Sequence, residues 1–402
     1  MSVEARRLSP VQAAEDSRLE AARRFKGCAL PGLKTESYRY FPVQGFEQRL
    51  ADKKVLVFSN HQWAESECHW SNGVLSANFS QWKAGGLEIQ SLEEAFWEKD
   101  AGDGHRDFFK DWIDSSWTGG WSFRLKAGKK LNEPLRLVIE PSLSHSQCLR
   151  RLIYLEEGSE LHLMEDWSLE ALSEKAWIGS HLQIVLEAGA RLVFQQLERG
   201  RSAGYRLERH EAWLNQSSQL QFLQLPQSAQ RTQVQSHFFL DGESAEVDAK
   251  LSAIGSGKNV FEWQTSSFQR KPNTKSQTQF FGLAQDRSKL VFDALIDIPK
   301  EVSKVEAHQN SRSLLLNDQA SVVNMPKLKI ATDDVLVTHG AAVSSFDEEQ
   351  IFYLRSRGLS EEKARETIVL SFVNPLLEEL LVEELREELQ QEFKQLLGGK
   401  PQ

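Results

Sequence analysis

Six stretches share one local form: EEGSELHL at 156–163, EAGARLVF at 187–194, NQSSQLQF at 215–222, DGESAEVD at 241–248, QDRSKLVF at 285–292 and NDQASVVN at 317–324. Each opens on a polar or Gly-containing turn and runs into a short stretch of β-formers. With Leu161, Leu192, Leu220, Val247, Leu290 and Val322 as register marks, the spacings are 31, 28, 27, 43 and 32 residues. No helical period lies between them. A recurring turn–strand phrase favours a coiled stack of β-rungs over a β-sandwich, the main competitor. The expected fold is therefore mainly β, with a right-handed parallel β-helix core over residues 121–343. A helical and mixed segment (1–120) precedes it and a helical segment (344–402) follows. Stacked rungs end in open sheet edges, which need a cap or a partner.

The chain has 402 residues, 40% hydrophobic and 26% charged, with a formal charge of -9. That is a soluble globular composition. Net acidity argues against a nucleic-acid binder, and no apolar run approaches the roughly 20 residues that cross a membrane. MSVEARRLSPVQAAEDSRLE (1–20) has no apolar signal core, so neither a secretory nor a transit peptide is expected and the location predicted is cytoplasmic. Cys28, Cys68 and Cys148 form no CxxC, which argues against a disulfide framework and against a thiolate cluster held by one segment. Any metal cluster handled here would share its ligands with a partner.

Within the first 120 residues, Ser9-Pro10 opens an amphipathic helix that Gly27 ends. His61, Glu65, Cys68 and His69 place four metal-ligand types in nine positions. Their flanks, Ser59-Asn60 and Ser71-Asn72-Gly73, read as an exposed loop, and a zinc site is the minor reading. The aromatics Phe96, Trp97, Phe108, Phe109, Trp112, Trp117 and Trp121 stand among acids, which suits a small helical core rather than a platform for bases. Two further patterns are decoys. GSGKN (255–259) lacks the first glycine and the hydroxyl of a phosphate loop and reads as a turn. Asp333-Asp334 are adjacent and point to opposite faces of a strand, so they are not a carboxylate pair across a groove.

Toward the C-terminus come Ala307-His308-Gln309, Leu314–Leu316, Pro326, Leu328, Ile330, Asp333-Asp334-Val335 and Thr338-His339-Gly340-Ala341. DEEQIFYLRSRGLSEEKA (347–364) follows. Together these resemble the end of the body and the tail of the SufB/SufD family, the scaffold subunits of the SUF iron–sulfur cluster assembly system, and resemble its SufD branch in particular. LPGLKTESYRYFPV (30–43) resembles a second segment of that family. The resemblance implies a non-catalytic scaffold, a SufB-like homologue as pairing partner and a SufC-like ABC ATPase bound by the C-terminal helices. A homodimer in the absence of SufB stays open. It also implies a transient iron–sulfur cluster shared with the partner. A flavin in the assembled complex stays open, and this chain does not indicate one. Free of the resemblance, two other readings stand: a β-helix enzyme acting on polysaccharide, and a free-standing structural β-repeat protein.

Read from the residues alone, His339 is a polar residue at a strand end. The resemblance implies that it ligates iron or the nascent cluster at the partner interface, imidazole being a borderline ligand suited to iron. Some relatives carry cysteine two residues earlier, where this chain has Val337. His308 is expected to hold the last rungs together. In the tail, Ser345 with Glu348 reads as a capping box, Gly358 as a helix stop, Ser360 as the next cap and Asn374-Pro375 as a break. The leucines Leu377, Leu380, Leu381, Leu385 and Leu389 predict an apolar stripe. One reading makes these helices a cap over the last rung. The resemblance adds ATPase docking through Phe352, Tyr353, Arg355 and Arg357, aromatics and arginine being frequent interface anchors.

Overall fold

The computed structural model describes residues 57–59, 67–71, 74–77, 79–90, 108–117, 119–131, 133–140, 147–168, 177–200, 204–225 and 229–398. The expected helix at 9–27, the segment 30–43, Cys28, His61, Glu65, Phe96 and Trp97 lie outside them.

An eleven-stranded sheet starts with β1 (Val57–Ser59), β2 (Glu67–Ser71), β3 (Val74–Ala77) and β6 (Leu135–Glu140). It continues through β8 (Glu160–Ser168), β10 (Arg191–Arg199), β12 (Gln219–Leu225), β14 (Glu246–Gly255), β16 (Lys275–Ala284), β18 (Val305–Leu315) and β20 (Val335–Ser345). The strands between form a nine-stranded sheet. These are β4 (Leu87–Gln90), β5 (Gly119–Leu125), β7 (Gln147–Leu155), β9 (Trp177–Leu186), β11 (Tyr205–Leu214), β13 (Arg231–Leu240), β15 (Val260–Gln269), β17 (Lys289–Ile298) and β19 (Ser321–Ile330). From β5 onward, successive strands alternate between the sheets and pair in parallel. Each coil thus gives one strand to each sheet, and the chain is a two-layered parallel β-helix.

This explains the one irregular spacing in the sequence. Leu161, Leu192, Leu220 and Val247 stand in one ladder, and the next residue in it is Ser276. Leu290 and Val322 pair with each other in the opposite sheet. The interval of 43 therefore crosses between sheets, because a serine at the next coil hides the ladder from an apolar search.

The recurring phrase marks the turn between layers. Gly158 and Gly189 take left-handed φ of 63° and 67°, and their N–H groups donate to Ala188 and Gln216 of the next coil. Ser217, Ser244 and Asp286 adopt the same region at equivalent turns, where small or Asx-type residues are tolerated. GSGKN is a turn of this kind, with Gly257 at φ 61°. Between turns, inward and outward residues alternate with the pleat. Leu161, Leu192, Leu220, Phe194, Phe222 and Trp263 share the buried interior, each such side chain contributing about 1.5–3 kcal/mol.

Helix α1 (Phe79–Ala84) precedes β4, and α2 (Phe108–Ser116) packs on the outside of the nine-stranded sheet, with Trp112 3.9 Å from Trp177 between ring centroids. Trp117 is buried too, but Trp121 lies on β5 inside the β-helix, so these aromatics pack into and against the coils and do not form the separate helical core expected. After β20 come α3 (Glu348–Ser356), α4 (Glu361–Leu377) and α5 (Glu383–Gly398). The last two do not cover the final coil. Val369, Val373, Leu376, Leu385, Leu389 and Phe393 pack sideways onto the eleven-stranded sheet, against Met164, Leu197, Leu223, Phe281, Leu283 and Leu314. The outward faces of those strands are apolar over several coils, and they draw the leucine stripe away from the end.

Two tail expectations change for local reasons. Ser345 is the last residue of β20, paired with Leu315, so Asp347 caps α3 by accepting from the Glu349 N–H at 2.9 Å. Pro375 sits inside the last turn of α4, which runs on to bury Leu376 and Leu377 before ending. Gly358 (φ 95°) ends α3 and Ser360 caps α4, as expected. Among the described residues no helix is long and apolar enough to cross a membrane.

Candidate functional site

The final coil, β19 and β20, ends both sheets, and among the described residues nothing pairs with its outer edges. Where earlier coils are closed by a neighbour, this one is open: Leu328, Ile330, Leu336 and Val343 are exposed. His339 stands in the middle of β20, in register with Gln309 of β18. By strand alternation it shares a face with Val335 and Val337. Those two valines pack on Ile296, Ile298, Val302, Val305 and Ala307. The position two before the histidine is therefore an apolar plug, and His339 is the group of this row with coordinating chemistry.

His339 is exposed, and among the described residues it makes no hydrogen bond or ion pair. Its neighbour Gln309 is buried with an unpartnered Oε1, and both amide atoms of Asn324 on β19 are unpartnered as well. Beside these open groups, His308 is fully engaged on the outer face. Its Nδ1 lies 2.7 Å from Thr338 Oγ1, tying β18 to β20, and its Nε2 lies 3.3 Å from Glu306. Among the described residues no three His, Cys, Asp or Glu side chains converge on a metal position. Of the earlier cluster, Cys68 is fully buried in the apolar core and its thiol is pushed far up by burial, so it faces no loop. Cys148 is likewise buried and reduced.

Phe352, Tyr353, Arg355 and Arg357 come together on and just after α3. Ile351 anchors the helix, leaving Phe352 73% and Tyr353 57% exposed. Arg357 stacks on Tyr353 at 5.3 Å, and Arg355 reaches Glu361 at 3.5 Å. A helix that starts two residues after β20 places this aromatic–arginine surface close to the last strand in the chain.

Residues 138–372 match the family described as SUF system FeS cluster assembly, SufBD core domain. The chain belongs to the SufBD family. Relatives named iron-sulfur cluster assembly SufBD family protein are 23% identical in Staphylococcus epidermidis, 24% in Staphylococcus saprophyticus and 23% in Staphylococcus aureus. Each similarity spans 265 residues, 66% of this chain and 57% of the relative. The chain thus aligns with little more than half the length of those proteins.

The SufBD core region contains His339 and α3, and also a feature that sequence reasoning missed. Inside the β-helix, Glu208 accepts from Arg151 Nη2 at 2.7 Å, Arg206 Nη2 at 3.0 Å, Gln196 Nε2 at 2.9 Å and Gln224 Nε2 at 2.8 Å. His210 Nε2 lies 3.1 Å away. Arg151 also pairs with Glu165, and Arg206 with Glu198 at 2.7 Å. All are buried. Burial pushes the Glu208 carboxyl up, but Arg206, His210 and Arg151 outweigh it and hold it well below the usual range. At Glu198 burial wins over Arg206, and the neighbouring Glu208 charge adds to it, so its carboxyl rises to about 8. A second buried set lies under α2, where His181 sits 2.7 Å from Asp114 and 3.1 Å from Glu211. The signal available was RLERHE (206–211), a strand charged on both faces.

Proposed function

We propose that this SufBD-family chain is a non-catalytic, SufD-like scaffold subunit for iron–sulfur cluster assembly. In this reading, a SufB-like homologue pairs end-on with the last coil, and His339 supplies one ligand to the nascent cluster, with the others coming from the partner. A SufC-like ATPase docks on α3 through Phe352, Tyr353, Arg355 and Arg357. The observation that carries the reading is the open coil with an unengaged histidine in its centre. Imidazole without a protein partner keeps a nitrogen lone pair for iron, and the apolar row beside it limits water. Val337 offers no thiolate, which assigns sulfur ligation to the other subunit.

The packing of α4 and α5 decides how to test this. Deleting the tail would expose the apolar sheet face, so point variants are the cleaner probe. Tagged protein is co-expressed with SufB and SufC partners. Phe352→Asp with Tyr353→Asp should lose the ATPase while keeping the homologue. His339→Ala should keep the whole complex and lose cluster formation, read by visible absorbance of the reconstituted complex. Retention of the ATPase by the first variant, or normal cluster formation by the second, overturns the respective assignment.

A further inference from the structure

A groove of about 510 Å³ runs along the outer face of the eleven-stranded sheet, across β8 to β18. One row of its floor is His162, Val193, Gln221, Asp248, Gln277 and His308, one residue per coil. An adjoining pocket shares His162, Val193, Gln221 and Asp248 with it and is walled by the turn between α4 and α5, through Glu379 and Leu381. Gln195 clamps that turn, donating to Glu379 O at 2.6 Å and accepting from Leu381 N–H at 2.8 Å. The tail thus borders the groove beside Asp248, and the groove ends at β18, next to the strand of the final coil.

Its charges are unequal. Four carboxylates, Glu160, Glu246, Asp248 and Glu306, face Arg191 and Lys275. Three of the four have company: Glu160 with Lys130 at 2.8 Å, Glu246 with Lys275 at 3.9 Å, Glu306 with His308 at 3.3 Å. Asp248 has none. Its Oδ1 is buried and without a hydrogen-bond partner, between Gln221 and Gln277 of the adjacent coils. Burial pushes its carboxyl up against the opposing pull of Lys250, whose ammonium is taken by Glu379. A buried carboxylate oxygen with no donor is costly, and a bound cationic N–H donor would relieve it.

We propose that this groove binds an extended, lysine- or arginine-bearing polypeptide segment, anchored on Asp248. This does not depend on the function proposed above. Shape and spacing select the occupant. Coils repeat at about 4.8 Å, so the floor is about 24 Å long, the reach of about seven extended residues. Glu160 and Glu306 stand in the row of Glu246, two residues along the strand from Asp248. With three coils to Glu160 and two to Glu306, the separations from Asp248 are about 16 and 12 Å, or about five and four residues of extended chain. A segment with basic residues at those intervals meets all three carboxylates. No Trp or Tyr lines the groove or the adjoining pocket, and Phe194 and Phe222 of that pocket are packed in the core and present no ring to a sugar.

The test is fluorescence anisotropy of the full chain with a labelled decapeptide carrying lysines at intervals of five and four. Binding should weaken about tenfold or more in Asp248→Asn, the scale of losing one charge-assisted hydrogen bond, and vanish for the peptide with glutamates in place of lysines. Gln221→Arg, which sets a competing guanidinium beside Asp248, should block as well. Asp297→Asn, on the other sheet, should leave binding unchanged. Equal affinity of wild type and Asp248→Asn overturns the proposal. So does displacement by spermine at the peptide's own concentration, which would make the groove a polyamine patch.

Discussion

Replacing Glu208 by leucine tests whether the charged interior is a structural necessity or a tolerated oddity. Glu208 is the acceptor for two guanidinium groups and two carboxamides, all buried. The side chain volume is nearly kept, so the change is electrostatic. Arg151 keeps Glu165, and Arg206 keeps Glu198, whose carboxyl, relieved of a like charge, ionises more readily. That relief is partial, because Gln224 and His210 Nε2 lose the carboxylate and Gln196 keeps only Glu198 at 3.2 Å. Removing one partner from a buried ionic set costs about 3–5 kcal/mol. With about 2.1 cal/mol/K of unfolding entropy per residue, 402 residues give about 0.8 kcal/mol/K, and the melting temperature should fall by about 4–6 °C. The assay is thermal unfolding by circular dichroism, with Glu301→Leu, at an exposed turn, as a control expected within about 0.5 kcal/mol. A drop of less than about 1 °C in Glu208→Leu would refute the reasoning, since it would mean that water inside the coils replaces the carboxylate at no cost.

Two more outcomes follow from the same geometry. The Glu198 carboxyl stands at about 8 in the folded chain against a usual 4.5, so its contribution is fully present below about pH 4.5 and is lost as pH rises toward 8. Glu198→Gln mimics the protonated acid, and its melting curve should gain on the wild type steadily from pH 5 to 8, by at most about 1.4 kcal/mol per pH unit; parallel curves would sink this assignment. At the turns, Gly189→Ala meets nothing closer than Gly158 Cα at 3.9 Å, so its cost is conformational alone, about 1–2 kcal/mol from the left-handed φ. An unchanged melting temperature in that variant would show that the stacked turns can relax out of this conformation.

What was legible in the sequence follows from which constraints are local. The turn at each coil needs a residue that tolerates positive φ followed by β-formers, and both leave a mark in eight residues. The fold class and the outline of the ladder could thus be read, up to the serine at 276 that breaks the apolar trace. The charged interior could not. Arg151, Glu165, Glu198 and Glu208 alternate with other residues at period two, the same pattern that places polar groups in solvent. Only long-range closure shows that they meet each other. The tail gave its apolar stripe but not its target, because a leucine row fits a sheet flank and a coil end equally well. For His339, residue type and strand were readable, while its lack of a partner among the described residues follows from β20 being the last strand of its sheet there.

That open coil also constrains how a partner can approach. An exposed strand edge beside Leu328, Ile330, Leu336 and Val343 invites indiscriminate pairing, and edges are commonly guarded by lysines. Here Lys327 and Lys329 on β19 sit on the outward face, held by Asp293 and Asp297 at 2.9 Å each. They place charge along the flank of the last coil and leave the end itself apolar. A strand sliding against the flank must desolvate two ion pairs, whereas a coil stacking end-on covers Leu328, Ile330 and Val343, which have the inward parity of their strands, at about 25 cal/mol for each Å² removed from water. For the proposed pairing, this difference favours end-on approach, which brings the partner's last coil over the row that holds His339.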